Sequence, residues 1–141
     1  MAVAPLPNVR QVVEYAVTEI PTEKIMLGIP NYGYDWTLPF ERGVSRATSI
    51  GNDFAIVVAA QNGAEIKYDE KSQSPYFKYI SKDNKNHIVW FEDVRSIKKK
   101  FDLINEFNLR GGGYWNLMRP FVQNYSLLGY MFDVNKSIFG Y

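Results

Sequence analysis

The sequence predicts an α/β fold, on three observations. A helical pattern near the N-terminus leads directly into an apolar run, Ile25 to Ile29, broken only by Gly28, which suits a strand buried on both faces. A second helix-then-strand pattern occupies 93–116. Between them, residues 37–92 carry short alternating runs of the kind an antiparallel sheet uses. The order is helix, strand, inserted α+β unit, helix, strand. The strands at 24–29 and 110–116 are expected to be parallel neighbours joined by a right-handed crossover.

Each element has a local reason. Residues 1–7 are apolar and proline-rich, hence extended, and Asn8 is the expected N-cap. Val9, Val12, Val13, Ala16, Val17 and Ile20 then recur at helical spacing until Pro21. The strand Lys24–Ile29 is expected to stop at Pro30 and Gly33, with Tyr32, Tyr34, Asp35 and Trp36 clustered at its end. Leu38–Ser45 reads as loop. Thr48 or Ser49 is the expected cap of a second helix running to about Gln61, with Ile50, Phe54, Val57 and Val58 buried and Asn62-Gly63 as its stop. Strands are expected at Glu65–Tyr68, Tyr76–Ile80 and His87–Glu92, the last two joined by a hairpin tip at Lys82–Asn86.

Asp93 is the expected cap of a third helix, with Val94, Ile97, Phe101, Ile104 and Phe107 on one face and Lys98, Lys99, Lys100 and Asn105 on the solvated one. The glycines at 111–113 permit close packing of a strand that ends in Tyr114, Trp115 and Asn116. From Arg119 onward the pattern is aromatic and irregular, with a helical turn or two near Val122–Leu128.

Composition bounds the function. A chain of 141 residues has room for one ordinary core, and a net charge of +1 gives no reason to expect nucleic acid or an anionic membrane as partner. No apolar run approaches membrane-spanning length, and the N-terminus has neither the basic region nor the apolar core of a signal peptide. With no Cys, disulfides and thiolate chemistry are excluded. Aromatic residues stand out at 16%, enough to supply a carbohydrate- or peptide-binding surface as well as a core.

The candidate site residues are Tyr32, Tyr34, Asp35, Trp36, Tyr114, Trp115 and Asn116. They fall at the carboxyl ends of the two expected parallel strands, where α/β folds bind ligands. Aromatic faces stack on the C–H groups of a sugar, and a carboxylate accepts from its hydroxyls. The residues equally admit a core strand running into an aromatic turn; the shared edge of the two clusters favours a site.

These stretches resemble a known family. Lys24-Ile-Met-Leu-Gly-Ile-Pro-Asn-Tyr-Gly-Tyr-Asp-Trp36, Gly63-Ala-Glu-Ile-Lys-Tyr-Asp-Glu70, Val89-Trp-Phe-Glu-Asp-Val-Arg-Ser-Ile97 and Gly111-Gly-Gly-Tyr-Trp-Asn-Leu117 resemble the C-terminal part of family 18 glycoside hydrolases, the chitinase-like (β/α)8 barrels. The nearest branch is that of bacterial spore cortex peptidoglycan hydrolases. The resemblance implies a C-terminal TIM-barrel fragment, residues 1–36 and 93–141 holding barrel strands seven and eight with their flanking helices. Residues 37–92 would form an α+β insertion subdomain walling the cleft. It implies Trp115 as the floor under the sugar next to the scissile bond and Tyr32 with its neighbours as cleft lining. Tyr34 stands where many chitinases have Arg. Asp93, Ser96 and Lys100 match a helix-start pattern read as structural, with Lys100 facing solvent.

The same resemblance implies retaining, substrate-assisted cleavage of an N-acetylglucosamine-containing glycan, peptidoglycan or chitin-like, in a spore or cell-envelope setting and without a cofactor. The family's Asp-x-x-Asp-x-Asp-x-Glu motif occurs nowhere in these 141 residues, so no catalytic residue is expected in this chain. Its remaining acids do not replace it: Glu92 and Asp93 are adjacent and would face opposite ways, Asp69 and Glu70 lie at a strand–turn junction, and Asp35 suits hydrogen bonding better than proton donation. His87, the only His, has no second metal ligand nearby and reads as structural. The alternatives are a non-catalytic glycan-binding module and a stable piece without independent function. Two barrel strands with unpaired edges predict self-association.

Overall fold

The structure, a computed structural model, describes residues 1–132; the last part of the expected barrel segment, 133–141, lies outside the described residues. The α/β class is found. Four helices, α1 (Leu6–Glu19), α2 (Asn52–Gln61), α3 (Val94–Glu106) and α4 (Val122–Met131), accompany seven strands among those residues. The strands β1 (Met26–Pro30) and β7 (Gly111–Trp115) form a two-stranded parallel sheet in register Met26 to Gly111 through Pro30 to Trp115. The others, β2 (Gly33–Thr37), β3 (Ala47–Ile50), β4 (Lys67–Asp69), β5 (Ser74–Ile80) and β6 (Asn86–Trp90), form an antiparallel sheet in the order β3-β2-β6-β5-β4.

Two apolar clusters hold these layers. Val13 of α1, Ile29 of β1 and Ile97, Phe101 and Ile104 of α3 pack as one core, closed by Leu109 and Phe121. Ile50, Phe77 and Val89 of the antiparallel sheet, with Phe91 just beyond β6, meet Ala55 and Ala59 of α2 as the second. The third helix begins as its sequence requires. Asp93 accepts from the backbone N–H of Arg95 and Ser96, each at 3.0 Å, and the Ser96 hydroxyl accepts from the Asp93 N–H at 2.9 Å, a reciprocal capping box. Glycine at 112 admits the packing of β7, because a Cβ there would stand 3.1 Å from Ile104 Cδ1 and 3.2 Å from Ile29 Cγ1.

Several expectations are corrected. The first helix starts at Leu6, two residues before Asn8, with Pro7 in its first turn where a missing N–H costs nothing; Val12 and Ile20 of the expected stripe are exposed. β1 is not buried along its length: Ile29 and Pro30 are buried while Met26, at its start, is 58% exposed. The aromatic turn after Pro30 continues instead as β2, and Thr48 and Ser49 lie in β3 rather than capping a helix. Gly51 caps α2, which turns its alanines to the sheet; Phe54 (59% exposed) and Val57 face outward, since the close helix–sheet contact admits only small side chains.

The largest correction is Lys100. It is wholly buried, and its Nζ donates to Glu92 Oε2 at 2.8 Å. On α3 it falls on the same arc as Ile97, Phe101 and Ile104, between the two cores.

Candidate functional site

The end of β7 is held against the end of β1 by one buried residue, Asn31. Asn31 donates its backbone N–H to the Trp115 carbonyl at 2.8 Å and its Nδ2 to the Arg119 carbonyl at 2.5 Å. The peptide bond between Trp115 and Asn116 is cis. So anchored, Trp115 presents its indole outward, 70% exposed. It borders a cavity of about 230 Å³ lined also by Tyr32, Tyr34, Ser49, Asn116 and Arg119.

The opposite wall comes from β2 and β3. Side chains alternate along β2, so Tyr34 and Trp36 share one face and Asp35 takes the other. Tyr32 meets Tyr34 edge-on at 5.5 Å between ring centroids, Tyr34 meets Trp36 at 5.8 Å, and Trp36 meets Phe40 at 5.2 Å. The row starts at the cavity and runs out along the sheet. Burial, and then the neighbouring Tyr34 phenol, push the Tyr32 hydroxyl above the ordinary phenol range, so it remains a donor at neutral pH. Gly33 makes this wall possible: a Cβ there would stand 2.7 Å from that of Phe91, so only glycine lets β2 lie against the end of β6.

Of the sequence-expected residues, the fold brings Tyr32, Tyr34, Trp115 and Asn116 to the cavity, with Trp36 next in the aromatic row. It does not bring Asp35 or Tyr114. Asp35 lies on the opposite face of β2, where its carboxylate accepts from the Tyr79 hydroxyl at 2.7 Å and meets His87 Nδ1 at 2.8 Å. That contact gives His87 the structural partner its isolation suggested. Tyr114 turns into the first core, its hydroxyl donating to Asn124 at 3.2 Å. Sequence reasoning missed Asn31, Ser49 and Arg119. Arg119 crosses 70 positions of sequence to donate from Nη1 to Ser49 Oγ at 2.7 Å, a pairing no local pattern announces.

No group of three or more His, Cys, Asp or Glu that could hold a metal occurs among the described residues. No helix among them is long and apolar enough to cross a membrane. The arrangement suits recognition: an exposed indole, a row of phenols and indoles, and several neutral or cationic hydrogen-bond donors, without a carboxylate at the cavity wall.

Comparison with known proteins shows the family. The family model for glycosyl hydrolases family 18 matches residues 2–119. The chain belongs to that family. It is 51% identical, over 98% of its length, to the cortical fragment-lytic enzyme of Bacillus subtilis (strain 168), covering 32% of that relative. The structure superposes on the spore cortex-lytic enzyme SleL of Bacillus megaterium QM B1551 with a TM-score of 0.91 and 49% identity, over 96% of this chain and 32% of that one. A chitinase from Chromobacterium violaceum ATCC 12472 gives a TM-score of 0.74 at 30% identity, over 83% of this chain and 35% of that one. The chain thus spans about a third of the length of the relatives it matches. It is a family 18 glycosidase sequence of the spore-cortex type, and among its relatives are enzymes of glycan hydrolysis.

Proposed function

We propose that this chain forms one wall and part of the floor of a family 18 glycosidase cleft, binding an N-acetylglucosamine-containing glycan of the peptidoglycan or chitin type. The observation that carries the reading is Trp115, a large indole held outward at the carboxyl end of β7 beside Tyr32 and Tyr34. An exposed aromatic anchored by a buried Asn31 costs hydrophobic burial and repays it by stacking on a sugar ring.

In this reading 1–36 and 93–141 are the last two strands and helices of a (β/α)8 barrel, and 37–92 the insertion subdomain. The parallel pairing of β1 and β7 as a two-stranded sheet supports it, since neighbouring strands of such a barrel pair in parallel. The glycan is cleaved with retention, its own N-acetyl group attacking the anomeric carbon while an acid protonates the leaving oxygen. This chain supplies stacking and hydrogen bonds but not that acid: the Asp-x-x-Asp-x-Asp-x-Glu pattern is absent, and Asp35 is engaged by Tyr79 and His87.

Calorimetric titration of the chain with N-acetylglucosamine oligomers tests the reading. Saturable binding that is lost in Trp115→Ala, with the fold retained, is expected; equal binding by that variant would remove the stacking role. A chromogenic N-acetylglucosaminide should not be turned over, and turnover that vanishes in Asp35→Asn would overturn the assignment of the acid elsewhere.

A further inference from the structure

The chain passes between its two cores twice among the described residues: at 31–33, from β1 into β2, and at 91–93, from β6 into α3. The two crossings touch. A Cβ on Gly33 would collide with the Trp90 carbonyl and with Phe91, so the first crossing lies directly against the second. The cavity beside Trp115 spans the same boundary. Trp115, Asn116 and Arg119 end or follow β7, on the side of the first core, whereas Tyr34 and Ser49 stand on β2 and β3. The angle at the crossings therefore sets how far the phenols stand from the indole.

Glu92 is fixed from both sides of that boundary. Its backbone N–H donates to Asn52 Oδ1 of α2 at 3.0 Å, and its carboxylate accepts from Lys100 Nζ of α3 at 2.8 Å. Lys100 Nζ also reaches the Ser96 carbonyl at 3.4 Å. The neighbours of Glu92 are held too: the Phe91 N–H donates to the Pro75 carbonyl at 3.2 Å, and Asp93 caps α3. Asn52, Glu92, Ser96 and Lys100 are all buried. Stability alone does not call for such a pair, because well-packed apolar side chains of similar volume often serve as well in its place. What an ion pair adds is direction. An ammonium must point its N–H groups at fixed acceptors, while apolar burial is non-directional and lets surfaces slide. We propose that the buried Glu92–Lys100 pair is a positioning pair that locks the two cores at one angle and thereby holds the phenol wall at its distance from Trp115. Its consequence for binding rests on the glycan-cleft reading above; the lock itself does not.

The chain has no Cys, so two spin labels can be introduced without competing thiols. One goes on Tyr15→Cys, exposed on α1, and the other on Ile80→Cys, exposed at the far end of β5. Labelled chain diluted into unlabelled chain gives the distance distribution within one molecule by pulsed dipolar resonance. The decisive variant is Lys100→Met with Glu92→Gln, which removes both charges. A role in stability alone leaves the folded variant with the parent distribution. The lock instead predicts a broader or displaced one, with native helix content retained. Affinity for N-acetylglucosamine oligomers, read by calorimetric titration, should fall with it, by about tenfold where about a tenth of the molecules hold the binding arrangement. Lys98→Met, which breaks the exposed pair with Asp102 on the same helix, should change neither. Asn52→Ala releases Glu92 from the α2 side and should broaden the distribution as well, a second route if the double variant folds poorly. A distribution as narrow as the parent's and at the same distance in either variant, or equal broadening by Lys98→Met, would overturn the lock. Broadening in a chain whose parent binds no glycan would leave the lock standing and overturn the cleft reading.

Discussion

Replacing Lys100 with Met should be among the most damaging single changes in this chain. The Nζ of Lys100 and Oε2 of Glu92 meet at 2.8 Å with both side chains essentially inaccessible, while Glu92 Oε1 has no partner among the described residues. Removing the ammonium leaves a carboxylate in a dry site, a loss of about 3–5 kcal/mol where buried pairs have been broken from one side. That is a large part of the roughly 5–15 kcal/mol by which a domain is stable, and should lower Tm by roughly 10 °C. Burial already pushes the Glu92 carboxyl above its usual range, with Lys100 drawing it part of the way back. Removing Lys100 raises it further. A carboxyl whose folded pKa exceeds its unfolded one favours the native state below the unfolded value and loses that contribution as pH climbs through the folded value. The penalty of Lys100→Met should therefore be larger at about pH 8 than near pH 4, and the double variant Lys100→Met with Glu92→Gln should recover much of it. Urea melts of the four members of this cycle at both pH values decide the matter. A loss below about 1 kcal/mol, or one independent of pH, would refute the argument that an unpaired charge is what hurts.

Three further outcomes follow from the packing. Asp93→Ala removes two backbone hydrogen bonds at the start of α3 and should cost about 1 kcal/mol in denaturant melts, since the reciprocal Ser96 contact cannot replace them. Gly33→Ala should cost about 1–3 kcal/mol because β2 and the end of β6 must part, while Gly113→Ala, whose Cβ would meet nothing within 4 Å, serves as the near-neutral control. The exposed residues and edges of the β1–β7 pair should make the isolated chain associate with itself, read by light scattering; a monomer at high concentration would remove that expectation.

What the sequence conveyed about the fold depended on how far apolar spacing controls each element. The α3 helix was legible because Asp93, Ser96 and the Ile97–Phe101–Ile104 stripe all state the same helix. Lys98, Lys99 and Lys100 suggest one solvated face, but three consecutive helical residues do not share a face. At about 100° per residue, Lys100 falls only about 40° from Ile104, inside the buried arc, whereas Lys98 and Lys99 point away. The α2 helix was misjudged for the opposite reason. Hydrophobe size suggests burial, but a helix lying close on a sheet buries Ala55 and Ala59 and leaves Phe54 outside. The β2 strand was hidden because its partner β6 lies far away in sequence and one of its faces carries aromatics instead of a polar alternation.

The site divides along the same line. Tyr32 and Tyr34 could be picked out because they follow an apolar run that ends in a turn signal, and Trp115 because it ends a glycine-rich strand; strand ends are where such folds bind ligands. Asp35 could not be separated from them until β2 was known to be a strand, for only then does alternation send it to the face of Tyr79 and His87. Arg119 was invisible for a deeper reason. Its partner Ser49 lies far away in sequence, and the residues around it, Met118 and Pro120, say nothing of Ser49 or of the phenols beyond. The cavity itself depends on Asn31 holding the end of β7 to the end of β1, so neither aromatic stretch alone announces it.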